Sequence, residues 1–151
     1  MSKPTDDVRI GATKPLITPW VLAEELPLPE ASANAIAAAR QSIEQVLKGD
    51  DNRVLAIVGP CSVHDPLALI DFATRFKAIC DPLADAIVPV LRVYFEKPRT
   101  VVGWKGLIND PDLDDSFHIN KGLHLARKVL LDVAALGLPA ATEFLDTTFG
   151  Q

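Results

Sequence analysis

The sequence predicts an α/β fold built on parallel strands, and three observations carry the prediction. Helical and extended periodicities alternate in the order helix, strand, helix, strand, helix, strand. Alternation of this kind implies parallel strands joined by right-handed crossovers. The first strand candidate, Arg53-Val54-Leu55-Ala56-Ile57-Val58, is a continuous apolar run, the pattern of a strand covered on both faces. The chemically capable residues stand with the strands: Cys61 and His64 after the first, Lys97 to Lys105 after the second, Glu143 within the third. In open sheets and in β/α barrels alike, ligands bind at that carboxyl end.

Each element has a local reason. Residues 1–30 contain Pro4, Pro15, Pro19, Pro27 and Pro29 and read as an arm. Within it Thr18 caps, and Pro19 opens, a short helix over 18–25, whose Trp20 needs a surface on its own domain or on a second subunit. A helix over 32–48 follows, with Ile36, Ala39, Ile43, Val46 and Leu47 on one face, Arg40 and Glu44 spaced to pair, and Gly49 at its end. Asp50-Asp51-Asn52 is a turn before the first strand. Beyond Gly59-Pro60-Cys61-Ser62-Val63-His64, Asp65 caps a helix that Pro66 begins. Leu69, Phe72, Ala73, Phe76 and Ile79 form its inward face, and Asp81-Pro82 stops it. The second strand covers 87–95, where Pro89 lacks a ladder donor and suits only a strand start or edge. A long loop over 96–119 holds the turn cluster Asn109-Asp110-Pro111-Asp112. The last helix covers 120–136, with Leu123, Ala126, Leu130, Val133 and Ala134 inward and Gly137 at its end, before a third strand over 140–145.

Composition excludes several classes. The chain has 151 residues and 48% hydrophobic content, enough for one core. A net charge of −5 argues against a polyanion-binding protein, and so against nucleic acid as a partner. No apolar run approaches the roughly 18 residues that cross a bilayer, and the start MSKPTDDVRIG has no secretory apolar core. Cys61 and Cys80 lie outside any CxxC pair, which points to reduced thiols and a cytoplasmic setting. No GxGxxG or GxxxxGK[ST] fingerprint follows a strand.

The stretch LRVYFEKPRTVVGWKG, residues 91–106, begins as a strand and turns cationic. Arg92, Lys97, Arg99 and Lys105, opposed by Glu96, are candidate ligands for a small phosphorylated molecule. Arg presents a planar fork of donors and Lys a compact charge, while Gly103 and Gly106 let the backbone approach a ligand. The competing reading is a solvated loop. It suits Lys105 and fits Arg92 poorly, because Arg92 lies inside the apolar run 88–95. Cys61 offers a thiolate ligand for a metal with His64 at C-x-x-H spacing, or else is a free thiol beside a turn histidine. Cys80 reads as core filler. Glu143 either orients a lysine, acts as catalytic acid or base, or is a solvated strand-end carboxylate. His118 and His124 read as surface residues, and Trp104 either stacks on a ligand or closes its loop. A nucleic-acid surface over 97–105 has only one aromatic among its cations.

Three segments carry a family resemblance: GPCSVHDP (59–66), RVYFEKPRTVVGWKGLINDP (92–111) and GLPAATEFLD (137–146). They resemble the microbial type I 3-deoxy-D-arabino-heptulosonate 7-phosphate (DAHP) synthases, and the likeness spans essentially the whole chain. The resemblance implies condensation of phosphoenolpyruvate with erythrose 4-phosphate at the entry to the shikimate pathway. It also implies the N-terminal portion of a (β/α)8 barrel: an extension over 1–50, then about three β/α units over 51–151. Because such a barrel takes ~250 residues, the chain is expected to be the N-terminal part of a longer polypeptide.

Carried over by motif, Cys61 resembles the family's cysteine ligand to a divalent metal, for which Mn, Fe, Co or Zn is plausible. The other ligands, a His, a Glu and an Asp, are expected on later strands, and His64 is not among them. Arg92 and Lys97 resemble the phosphoenolpyruvate contacts, and Lys97, Pro98, Arg99 and Thr100 the wall that takes up erythrose 4-phosphate. The resemblance implies that Lys97 lies between the two substrates, where it is expected to give a proton to the new alkoxide. Asp6 and Asp7 in the arm, and 147–151 with Gln151, resemble parts of an aromatic amino acid effector site and of a homo-oligomer interface. The 151-residue chain alone is expected to be inactive, since one metal ligand of four cannot hold a catalytic metal. It is also expected to be marginally stable, with sheet edges unpaired. The alternative is a non-catalytic remnant that folds partly or associates through its arm.

Overall fold

The computed structural model describes residues 6, 8–10, 12–99 and 101–145. Their order is α1 (Pro19–Glu25), α2 (Glu30–Lys48), β1 (Val54–Val58), α3 (Pro66–Cys80), a 3-10 turn (Asp81–Leu83), β2 (Ile87–Arg92), α4 (Ile119–Ala135) and β3 (Ala140–Ala141). The strands form one parallel sheet in the order β1-β2-β3, with Val58 opposite Leu91 and Arg92 opposite Ala141. The expected α/β alternation is therefore present.

Local signals set the helix boundaries. Thr18 accepts from Val21 N, and Pro19 opens α1. Asp65 accepts from Leu67 N and Ala68 N, and Pro66 opens α3. Gly49 ends α2 in the left-handed region with φ 82°, a conformation that glycine adopts without a Cβ penalty. Helix α2 starts two residues before the expected 32, which buries Ser32 inside its first turn. Glu44 pairs with Lys48 at 2.5 Å instead of with Arg40.

The core lies between β2, α3 and α4. Leu91 and Val93 are fully buried against Leu69, Ala73, Ala126, Val129 and Val133. Each such Val or Leu side chain contributes roughly 1.5–3 kcal/mol on leaving water, and each Ala less. Val129 belongs to this face although the helical pattern omitted it. The long loop also enters the core through Leu107 and Ile108. Gly122 makes room for it: a Cβ there would stand 2.1 Å from the Ile108 carbonyl oxygen.

Several expectations are corrected by neighbours that a local pattern does not reveal. Strand β1 is not covered on both faces: Val54 is 65% and Ile57 53% exposed. Its second edge has no strand partner among the described residues. Leu47 and Ile79, expected inward, are exposed, and so is Trp20. Pro89 sits inside β2, the central strand. The N–H groups of Leu91 and Val93 point toward the β3 side, where they meet Pro139 O and Ala141 O. By strand alternation the Pro89 nitrogen faces that side too. There β3 has not yet begun, so no ladder bond is lost. Strand β2 ends at Arg92 and β3 spans two residues, shorter than the expected 87–95 and 140–145.

Candidate active site

The three strand ends bring the sequence candidates to one side of the sheet. At the end of β1, Gly59 lets the chain pass against β2, since a Cβ there would lie 2.2 Å from the Arg92 carbonyl oxygen. Pro60 and Cys61 follow. Across from them Arg92 Nη1 donates to Pro60 O at 2.7 Å, and its guanidinium carbon lies 3.7 Å from the Tyr94 ring centroid. A half-buried charge thus gains a carbonyl acceptor and an aromatic face. The partner that the apolar run demanded for Arg92 is present.

Lys97 Nζ lies 3.0 Å from Cys61 Sγ. The lysine ammonium, by hydrogen bond and charge, and then Arg92, draw the Cys61 thiol below its usual pKa. Cys61 is exposed, so its thiolate is open to a ligand. His64 is exposed as well, and no cluster of three or more metal-ligating side chains occurs among the described residues. The donor chemistry fits one soft ligand of a larger set and supports no C-x-x-H site.

The loop bearing Lys97 is closed on itself. Glu96 bridges Gly106 in antiparallel fashion, and Lys97 N donates to Lys105 O at 3.0 Å. Lys105 Nζ donates to Arg99 O at 2.7 Å. Trp104 closes the loop, donating from Nε1 to Asp110 O at 2.7 Å. Gly106 was expected to admit a ligand, but the Phe95 carbonyl fills that space: a Cβ would stand 2.2 Å from its oxygen, and φ is +108°. Pro98 and Arg99 are exposed, and Lys105 is half-buried.

Glu143 reaches back from beyond β3. Its Oε1 accepts from Phe95 N at 2.8 Å and from Glu96 N at 2.5 Å. It therefore grips the backbone immediately before Lys97 and is not a purely solvated carboxylate. Sequence reasoning missed this double acceptance, and it missed Asp110. That residue is 2% exposed and accepts from Asp114 N and Asp115 N. The turn cluster at 109–112 was the available signal for Asp110. Asp6 is exposed; Asp7, Thr100 and Gln151 lie outside the described residues.

A model of the DAHP synthetase I family matches residues 30–151. The Phe-sensitive phospho-2-dehydro-3-deoxyheptonate aldolase of Escherichia coli K12 is 55% identical over 146 residues, 97% of this chain and 42% of that protein. The Trp-sensitive enzyme of Enterobacter agglomerans is 52% identical over 147 residues, 97% of this chain and 42% of that protein. The chain thus spans less than half the length of these relatives. A solved structure of phospho-2-dehydro-3-deoxyheptonate aldolase from Francisella tularensis SCHU S4 superposes with a TM-score of 0.89 at 49% identity, over 93% of this chain and 41% of that one. The chain belongs to the DAHP synthetase I family.

Proposed function

We propose that these residues are the first part of the active site of a 3-deoxy-7-phosphoheptulonate synthase. The reaction joins phosphoenolpyruvate, erythrose 4-phosphate and water to give DAHP and phosphate. The carrying observation is the convergence of Cys61, Arg92 and Lys97 at adjacent parallel strand ends, with Lys97 Nζ 3.0 Å from Cys61 Sγ. In this reading 1–50 is an extension and 51–151 opens a (β/α)8 barrel whose ligand face is this carboxyl end.

Two anionic substrates repel each other, and a cationic pocket makes their approach possible. Arg92 is already oriented by Pro60 and Tyr94, so its remaining donors face phosphoenolpyruvate with little ordering cost. Lys97, Pro98, Arg99 and Thr100 are the proposed erythrose 4-phosphate contacts, and Lys105 is a further candidate substrate contact. The new C–C bond forms between the enol carbon and the aldehyde carbon. The aldehyde oxygen becomes an alkoxide and takes a proton from Lys97. Water adds to the cationic carbon of the former enol, one of its protons restores Lys97, and the carbon–oxygen bond to phosphate breaks as the other proton passes to the departing phosphate. Cys61 would be one thiolate ligand of a divalent cation, which would supply Lewis-acid polarisation of the aldehyde. Glu143, the candidate acid or base, has one oxygen taken by two backbone donors, which favours its role as orienter of the lysine loop.

The names of the relatives, Phe-sensitive and Trp-sensitive, support feedback by an aromatic amino acid, with Asp6, Asp7 and Gln151 as candidate effector contacts in a homo-oligomer. The test is turnover of a chain that carries these residues and has the length of the relatives. With metal supplied, it releases phosphate from phosphoenolpyruvate only when erythrose 4-phosphate is present. Absence of product would overturn the assignment. A Lys97→Ala variant that kept its turnover number and only bound more weakly would overturn the proton role.

A further inference from the structure

Helix α4 carries a polar stripe that holds the arm. Asn120, His124 and Arg127 follow one another at i, i+4 and i+7, one face of a helix. Asn120 Nδ2 donates to Pro15 O at 3.1 Å, and Ile17 N donates to Asn120 Oδ1 at 3.0 Å. Arg127 Nε donates to Leu26 O at 3.1 Å. Between these two contacts stands His124, with Nδ1 2.7 Å from Asn120 O and Nε2 2.6 Å from Glu25 Oε2.

Both atoms facing the ring are acceptors, one a carbonyl oxygen and the other a carboxylate oxygen. A neutral imidazole has one N–H and one lone pair, so it satisfies one of them and sets a lone pair against the other. An imidazolium satisfies both. We propose that residues 15–26 are held on α4 by a proton-dependent latch, in which protonated His124 grips Glu25 and release of that proton loosens the arm.

The surrounding charges leave this pair as the titrating element. Glu25 is the charged side chain that α1 brings to the ring, whereas Glu24 makes no bond to it. On α4 itself, Lys121 pairs with Asp112, Lys128 with Asp132, and Arg127 with the Leu26 carbonyl. Among the described residues no recorded hydrogen bond or ion pair joins the ring to a charged group of α2, which packs against α4. The Asn120 carbonyl first, and then Glu25, hold the His124 pKa above its ordinary value, with burial opposing them. A raised folded value means that the latch is complete below the unfolded histidine value of about 6.5 and is lost as pH rises through the folded one.

Hydrogen exchange of the Ile17, Leu22 and Leu26 amides tests this on the 151-residue chain, from about pH 5.5 to about pH 8.5, a span that brackets an unperturbed histidine. After correction for intrinsic base catalysis, arm opening is expected to be flat at low pH and to rise several-fold through the His124 titration followed by NMR. His124→Gln removes that step, and Glu25→Gln, which leaves α4 unaltered, moves the His124 titration down and flattens it. Should His124→Gln fail to fold, Glu25→Gln carries the test alone. Arm protection that does not change with pH, or a step that persists in either variant, would overturn the latch.

Discussion

Lys97 and Cys61 stand 36 residues apart in the sequence and 3.0 Å apart at the sheet end. The contact joins the segment after β1 to the loop after β2. It sets an ammonium against a thiol and favours the thiolate form.

Lys97→Met removes the main cause of the depressed Cys61 pKa. Because thiolate is the reactive form, alkylation of Cys61 in the wild type reaches half its plateau rate at lower pH than in Lys97→Met. Coincident pH profiles would show that Lys97 does not hold the thiolate.

Gly106 and Gly49 both have positive φ, +108° and +82°, but a Cβ at Gly49 meets nothing within 4 Å. Gly49→Ala is expected to cost about 1 kcal/mol, the left-handed penalty alone. Gly106→Ala must also push aside the Phe95 carbonyl and is expected to cost at least about 3 kcal/mol. Denaturant midpoints of the two variants check the order.

Glu143 separates two roles by substitution in a chain of the relatives' length. Glu143→Gln keeps an oxygen that accepts from Phe95 N and Glu96 N, whereas Glu143→Ala leaves both donors without it. If orientation is its role, Gln retains most of the turnover and Ala loses it by at least about tenfold, a loss of about 1.4 kcal/mol in barrier terms. If it is the acid or base, both variants lose turnover equally.

Much of the fold was legible because its signals are local. Asp65 and Pro66 marked the start of α3, and Gly49 the end of α2, through atoms within a few residues. Family motifs placed Cys61, Arg92 and Lys97 together. What the sequence hid depends on distant neighbours. The coverage of β1 depends on what lies beside it, so an apolar run alone misread Val54 and Ile57. Pro89 reads as an edge residue until the late start of β3 is known. His124 reads as a surface histidine until α1 lays Glu25 against it.

In the proposed site Arg92 and Lys97 bind phosphoenolpyruvate. Calorimetric titration of phosphoenolpyruvate into a metal-supplied chain of the relatives' length, with and without Arg92→Met, tests it most directly. Stoichiometric binding by the wild type is expected, weakened at least about tenfold in Arg92→Met by the loss of a charge-assisted contact worth roughly 1.5–3 kcal/mol. Equal affinity in the two proteins would contradict it.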